Sequence, residues 1–236
     1  MDKFICFYIN LEKCVERGDH CKQLLNTLEF DEIHHIVPID KYSREIYESE
    51  MSCVNCSGKY KGKPRGAKSL SMTTKKLLQH ISTLPDNFYF IFEDDIDIND
   101  NIDPKQFKTM INNDIKQYPR HNMFYLGQIF DDNALHNHKR NKFKSNMGWG
   151  THAYMINPKG AILLLNRIHC WHAALDGTYK RMITPPAPLL GIEYRNNRQK
   201  DYFGYFIQGR KCEWYTPSDI PVAFRDGADE GEYDSD

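Results

Sequence analysis

The chain has 236 residues, 40% of them apolar and 13% aromatic, which is enough to bury the core of one large or two small domains and too apolar for a disordered chain. A formal net charge of −1 excludes a global attraction to nucleic acid or to a membrane surface and leaves only local basic patches. Seven unevenly spaced cysteines fit a reducing compartment better than a disulfide framework; with no signal-like apolar start and no run of 18 apolar residues, the expected location is cytoplasmic or otherwise intracellular.

Residues 4–8 have the composition of a buried strand, and a helix is predicted over 15–28, with Leu24, Leu25 and Leu28 supplying much of its apolar face. A second short strand over 33–37 ends at Pro38-Ile39-Asp40. Strand, helix and strand within forty residues begin a parallel α/β sheet whose ligand edge carries Asn10, Arg17 and Asp40. The planar fork of Arg17 suits phosphate oxygens.

Residues 41–69 are rich in Ser, Gly, Lys and charge and show no periodic segment, so they are expected to form a long loop or insertion. Lys59, Lys61, Lys63, Arg65 and Lys68, with glycines at 58, 62 and 66, make it either a solvated surface loop or a basic flap over phosphates. Cys53-Val54-Asn55-Cys56 has a zinc-site spacing that needs further ligands, for which Cys14, Cys21, His34 and His35 are the candidates.

A helix over 70–81 leads through Pro85-Asp86-Asn87 into residues 88–98, Phe-Tyr-Phe-Ile-Phe-Glu-Asp-Asp-Ile-Asp-Ile. This stretch reads as a buried strand running straight into Glu93, Asp94, Asp95 and Asp97. Such a cluster at the carboxyl end of a hydrophobic strand must face water or share a cation. Strand alternation would set Glu93 and Asp95 on one side and Asp94 on the other. Paired oxygens of this kind hold Mg²⁺ or Mn²⁺ that takes its remaining ligands from water and phosphate.

Asp103-Pro104 marks a helix start, the helix running to about residue 118; a strand over 123–126 ends at Gly127-Gln128. Residues 131–145, with His136 and His138, read as an irregular loop. Residues 148–156 form a glycine-bracketed strand in which Trp149 is placed to stack on a flat ligand, and Asn157-Pro158 opens a helix ending near residue 169. A short apolar approach then delivers Asp176, with His172 four residues earlier, to a further helix start. Residues 185–190 lead into a further strand, residues 202–208 are predicted to form the last one, and residues 226–236 have the composition of an acidic disordered tail.

Four segments together resemble glycosyltransferase family 25, which includes bacterial lipooligosaccharide galactosyltransferases and collagen galactosyltransferases. Tyr8-Ile9-Asn10-Leu11 with Glu16-Arg17 is similar to the family's opening, and Ile91-Phe92-Glu93-Asp94-Asp95 to its Glu-Asp-Asp signature. Leu126-Gly127 and Gly150-Thr151-His152-Ala153-Tyr154-Met155-Ile156, followed by Lys159-Gly160-Ala161 and Leu164-Leu165, resemble its glycine, Ala-Tyr and Gly-Ala pattern; Leu175-Asp176 falls where members carry an acceptor-side Asp. Ser71-Met72 stands where members have Ser-His, and Lys68 where they have Cys.

The resemblance implies an α/β protein with the GT-A type glycosyltransferase fold, a Rossmann-like, mostly parallel central sheet flanked by helices, as a single domain over 1–225. It also implies a UDP-galactose or UDP-glucose donor, Mn²⁺ or Mg²⁺, and inverting transfer to a hydroxyl of a glycan or glycoprotein acceptor. On that basis Ile9, Asn10, Arg17, Asp40, Ser71, Glu93, Asp94 and Trp149 are expected at the donor, and Glu93, Asp95 and His172 at the metal. Asp176 is expected to be the base, with Asp131 and Asp132 in reserve. Two alternatives stay open: a non-catalytic nucleotide- or glycan-binding protein that keeps the fold, for which Met72 argues, and a nucleic-acid-associated protein using the basic patches.

Overall fold

A computed structural model describes residues 3–53, 65–98, 102–129, 150–172, 174–175, 178–179, 192–194, 202–204 and 206–208. Strands β1 (Ile5–Ile9) and β2 (Glu32–Ile36) are joined by helix α1 (Val15–Thr27), and helices α2 (Arg44–Ser52) and α3 (Arg65–Ile81) precede β3 (Tyr89–Glu93) and β4 (Ile96–Ile98). After the 3₁₀ turn Pro104–Gln106 come α4 (Phe107–Gln117), β5 (Met123–Tyr125), β6 (Gly127–Ile129), β7 (Ala153–Ile156), α5 (Pro158–Arg167), β8 (Ile192–Tyr194), β9 (Tyr202–Gly204) and β10 (Phe206–Gln208).

These elements form a mixed α/β fold in which helices flank a central six-stranded sheet of order β2-β1-β3-β7-β5-β8. The pairs β1–β2, β1–β3 and β5–β8 are parallel, whereas β7 runs antiparallel to both neighbours. Among the described residues two small antiparallel ribbons, β4 with β10 and β6 with β9, accompany the central sheet.

Side-chain alternation builds a core on each face of the sheet. Phe4, Cys6 and Tyr8 of the first strand segment, Phe90 and Phe92 of β3, Phe124 of β5 and Met155 of β7 pack with Leu25 of α1 and with Phe107 and Ile111 of α4. Phe7, Ile9, Tyr89, Ile91, Tyr125, Tyr154 and Ile156 face the other way, onto Leu77, Leu78 and Ile81 of α3 and Ala161 and Leu164 of α5. The first core is aromatic: the rings of Phe4 and Phe90 stack at 5.4 Å, and Phe30 meets Phe90 edge-on at 4.9 Å. Each such pair contributes about 0.5–1.5 kcal/mol beyond its area burial.

Local signals set several boundaries. Asp103 Oδ1 accepts from Lys105 N at 3.0 Å ahead of Pro104, and Asn157 Oδ1 accepts from Gly160 N at 2.8 Å ahead of Pro158, so both predicted caps are made.

Elsewhere the structure departs from expectation. The insertion is not all loop, because α2 lies within it and α3 starts at Arg65, five residues before the predicted helix and inclusive of Lys68. α2 offers almost no apolar face to read: Ile46 is buried, whereas Tyr47 and Met51 are 64% and 71% exposed. Its ion pairs, Arg44–Glu48 at 2.5 Å and Lys76 of α3 to Glu45 at 2.8 Å, are exposed and contribute little, whereas Ile46 and the Ser49 contacts with Met72 and His172 tie it to the fold. The acidic run also breaks: β3 ends at Glu93, Asp94 and Asp95 form a turn, and β4 leaves the central sheet to pair with β10. The predicted strand over 202–208 is likewise two strands, β9 and β10, each in its own ribbon. Among the described residues no helix is long and apolar enough to cross a membrane.

Candidate functional site at the carboxyl ends of β1 and β3

Strand order reverses between β1 and β3: the chain leaves β1 toward β2 on one side and returns to β3 on the other. In open α/β sheets the crevice beyond the carboxyl ends of strands at such a switch point is where ligands bind. Ile9 and Glu93 are register partners, so the residues that follow each strand, Asn10 on one side and Asp94-Asp95 on the other, emerge next to each other.

Asn10 is buried and held firmly. Its backbone N–H donates to Ile36 O at 3.1 Å, and its side-chain Nδ2 donates to Asp94 Oδ2 at 2.6 Å and to Cys14 O at 3.1 Å. Gly18 makes room for it, since a Cβ there would stand 2.8 Å from Asn10 Oδ1. Arg17, one turn into α1, donates from Nη2 to Asp94 Oδ1, and the same nitrogen lies 4.0 Å from Asp95 Oδ2. Burial pushes the Asp94 carboxyl up to about 6 against the opposing pull of the Arg17 guanidinium; the Asp95 charge adds to the rise and the Asn10 hydrogen bond opposes it. Above that value Asp94 is the ionised partner of Arg17.

Because Asp94 and Asp95 lie in a turn, the strand alternation expected for Glu93, Asp94 and Asp95 does not hold. Asp94 and Asp95 both lie on the Arg17 side, while Glu93 is engaged by the two residues that lead into β7: its Oε1 accepts from Thr151 Oγ1 at 2.7 Å and its N–H donates to His152 O at 2.9 Å. The His152 ring is fully buried. Desolvation lowers its pKa while the Asp95 charge and the Phe206 carbonyl oppose that fall, so the ring is neutral at physiological pH.

Gly127 is what lets the His152 ring and the Phe206 backbone come together. A Cβ at 127 would meet His152 Nε2 and Phe206 O, each at 2.4 Å. Gly127→Ala is therefore expected to cost about 1–3 kcal/mol in urea unfolding, the usual penalty of overpacking. An unchanged midpoint would show that the close approach is not maintained in solution. The sequence pattern included Gly127, Thr151 and His152 without assigning them a role; the signal that could have revealed it is a glycine and a buried polar pair flanking short apolar strands.

The remaining expected site residues are distributed as follows. Ile9 is buried at the end of β1 beside Glu93. Asp40 is exposed after β2, where its Oδ1 accepts from Tyr42 N at 3.0 Å. Ser71 is buried in α3 within a run of small polar residues that includes Ser69, Thr73 and Thr74. Thr73 Oγ1 accepts from Ile39 N at 2.9 Å, tying this helix to the loop that carries Asp40. Trp149, Asp131, Asp132, Asp176, His136 and His138 lie outside the described residues. His172 is buried, and its ring stands with Ser49, Cys53 and Cys170.

The cysteine expectation is corrected at the same point: Cys53 meets Cys170 and His172 rather than Cys14, Cys21, His34 or His35. Cys21 is packed in the α1 core, His34 stacks on Phe7 and His35 on Tyr8, so those residues are committed elsewhere.

A surface cleft of about 760 Å³ between Lys3, Phe7, His34, His80 and Tyr89 lies at the amino ends of β1 and β3, the opposite end of the sheet from Asn10 and Asp94. Buried carboxylates on a turn, with one guanidinium between them, are hard oxygen donors. Mg²⁺ and Mn²⁺ take one or two such carboxylates and complete their shell with water and phosphate; Asp95 has the donor chemistry for an ion of that kind, whereas both Asp94 oxygens are taken by Arg17 and Asn10 and Glu93 Oε1 by Thr151. Compared with protein-family models and with curated proteins, the chain matches none.

Proposed function

We propose that this chain is an inverting glycosyltransferase of GT-A type that moves galactose or glucose from a UDP-sugar to a hydroxyl of a glycan or glycosylated protein. The observation that carries the proposal is the convergence of Asn10, Arg17, Asp94 and Asp95 beyond the carboxyl ends of β1 and β3, where the strand order reverses. Support also comes from the family 25 resemblance, whose opening and acidic motifs contain these four residues.

In this scheme Asn10 and the adjoining backbone of Ile9 contact the nucleoside together with Asp40, and the Arg17 fork shares itself between Asp94 and the diphosphate. Asp95, with Glu93 or Asp94 acting through water, would hold a divalent cation whose charge neutralises the leaving diphosphate. The acceptor oxygen attacks the anomeric carbon from the face opposite the diphosphate, and the bond to the diphosphate breaks with its electron pair. Asp176, or Asp131 or Asp132, takes the acceptor's proton. The base must stand across the pocket from Asp95, because in-line attack separates nucleophile and leaving group.

Calorimetric titration with UDP, in Mn²⁺ and in chelator, followed by transfer assays with UDP-galactose and UDP-glucose, tests the proposal. Metal-enhanced binding with transfer is the expected result, and no binding of UDP under either condition would overturn it. Binding without transfer to any glycan acceptor would favour the non-catalytic alternative. Met72 supports that alternative, since it is packed into the core beside Ser49 where family members carry a histidine.

A further inference from the structure

A second cluster of metal-binding side chains lies away from the carboxylates, where the end of α2 meets the segment after α5. The ligand atoms of Cys53, Cys170 and His172 all lie within 4.8 Å of one another. The His172 ring is buried, and its Nδ1 is 3.7 Å from Cys170 Sγ. Two donors on a tetrahedral zinc ion, with bonds of about 2.3 Å to sulfur and 2.0–2.1 Å to nitrogen, stand about 3.6 Å apart, so this pair is already at ligand spacing.

The surrounding hydrogen-bond partners can support the tautomer that a metal requires. His172 Nε2 is 2.9 Å from Ser49 Oγ, and Ser49 Oγ in turn donates to Met72 Sδ at 3.6 Å. With the serine proton on Met72, the serine oxygen accepts from Nε2–H and Nδ1, the nitrogen facing Cys170, is the basic one; with that proton on Nε2 the tautomer is reversed, and the first arrangement is the one that a metal at Nδ1 requires. Metal-bound histidines are oriented in this way by the hydrogen bond that their other nitrogen makes.

We infer that Cys53, Cys170 and His172 bind one Zn²⁺ as a Cys₂His site, with Ser49 and Met72 positioning the imidazole. Binding releases the two thiol protons to solvent and forms two zinc–thiolate bonds and one zinc–imidazole bond, with no change of oxidation state. Thiolate and imidazole select zinc over the hard cations suited to Asp95, so the two sites take different metals. The ion would join the end of α2 to the segment after α5, a separation of 117 residues between Cys53 and Cys170, and would stabilise a helix that buries little apolar surface of its own.

The test uses full-length protein, reduced, stripped with chelator and titrated with Co²⁺ alone, then with Zn²⁺. One Co²⁺ per chain is expected, with a thiolate-to-cobalt charge-transfer band and tetrahedral ligand-field bands that Zn²⁺ abolishes; cobalt held by carboxylates gives no sulfur band. Cys53→Ser and Cys170→Ser should each weaken that band, and Cys14→Ser should leave it unchanged. Should a cysteine variant fail to fold, Ser49→Ala keeps all three ligands and should lower zinc affinity roughly 10–100-fold while retaining the cobalt spectrum. Absence of the sulfur band in folded, reduced wild-type protein would overturn the inference. So would a band that survives both Cys53→Ser and Cys170→Ser, or zinc affinity unchanged by Ser49→Ala.

Discussion

Asp95→Ala is expected to abolish the tightening of UDP by Mn²⁺, which in the wild-type chain should amount to about 5–150-fold, and to lower kcat for transfer by roughly 10³-fold. Asp95 is buried in the turn after β3, with Arg17 Nη2 4.0 Å from its Oδ2, and its charge opposes the lowering of the buried His152 ring's pKa. Removing it deletes a buried negative charge without breaking the Asn10–Asp94–Arg17 contacts, so the fold should survive. The His152 ring supplies an internal check. Asp95 raises the His152 pKa, so in the variant the ring should titrate lower still, observable by NMR. Equal UDP affinity of the wild-type protein in Mn²⁺ and in chelator would remove the metal from the proposal. Enhancement that persists in the variant would transfer the ligand role to Glu93 and Asp94.

The Arg17–Asp94 pair leads to the second large effect, one on stability. Arg17→Ala leaves a mostly buried carboxylate without its cation, and breaking such a pair costs about 3–5 kcal/mol. The Arg17 side chain retains 23% exposure and that of Asp94 11%, so a value near the lower end, about 3 kcal/mol at pH 8, is expected. The pH dependence has a definite sign. Asp94 has a folded value of about 6 against an ordinary 3.8, so its contribution to stability is fully present below 3.8 and is lost as pH rises through about 6. Arg17 lowers that folded value, so in Arg17→Ala it moves higher and the loss is larger. The deficit of the variant should therefore nearly vanish below about pH 4, where Asp94 is protonated in both proteins, and reach its full size above neutrality. Urea unfolding at pH 4 and pH 8 measures it. An equal deficit at both would mean that Arg17 contributes through the packing of its stem rather than its charge.

The amino-acid sequence alone determined the features that are written locally. The unbroken apolar runs Phe4–Tyr8 and Tyr89–Phe92 specify strands buried on both faces, and the caps at Asp103 and Asn157 need only a backbone N–H two or three residues away. Asn10, Arg17, Asp94 and Asp95 could be named from their residue types and strand-end positions. Which of them meet was decided by the tertiary structure: Arg17 and Asp94 are 77 residues apart, Asn10 and Asp94 are 84 apart, and only the parallel pairing of β1 with β3 brings them together. The turn at Asp94-Asp95 likewise depends on a distant partner, because β4 finds its backbone hydrogen bonds in β10, more than a hundred residues later. α2 escaped detection because it buries Ile46 without an apolar stripe around it, Tyr47 and Met51 being exposed. Cys53 carries no sequence signal that joins it to Cys170 and His172, since which helix ends become neighbours is set by how the helices pack on the sheet and is not encoded by spacing along the chain.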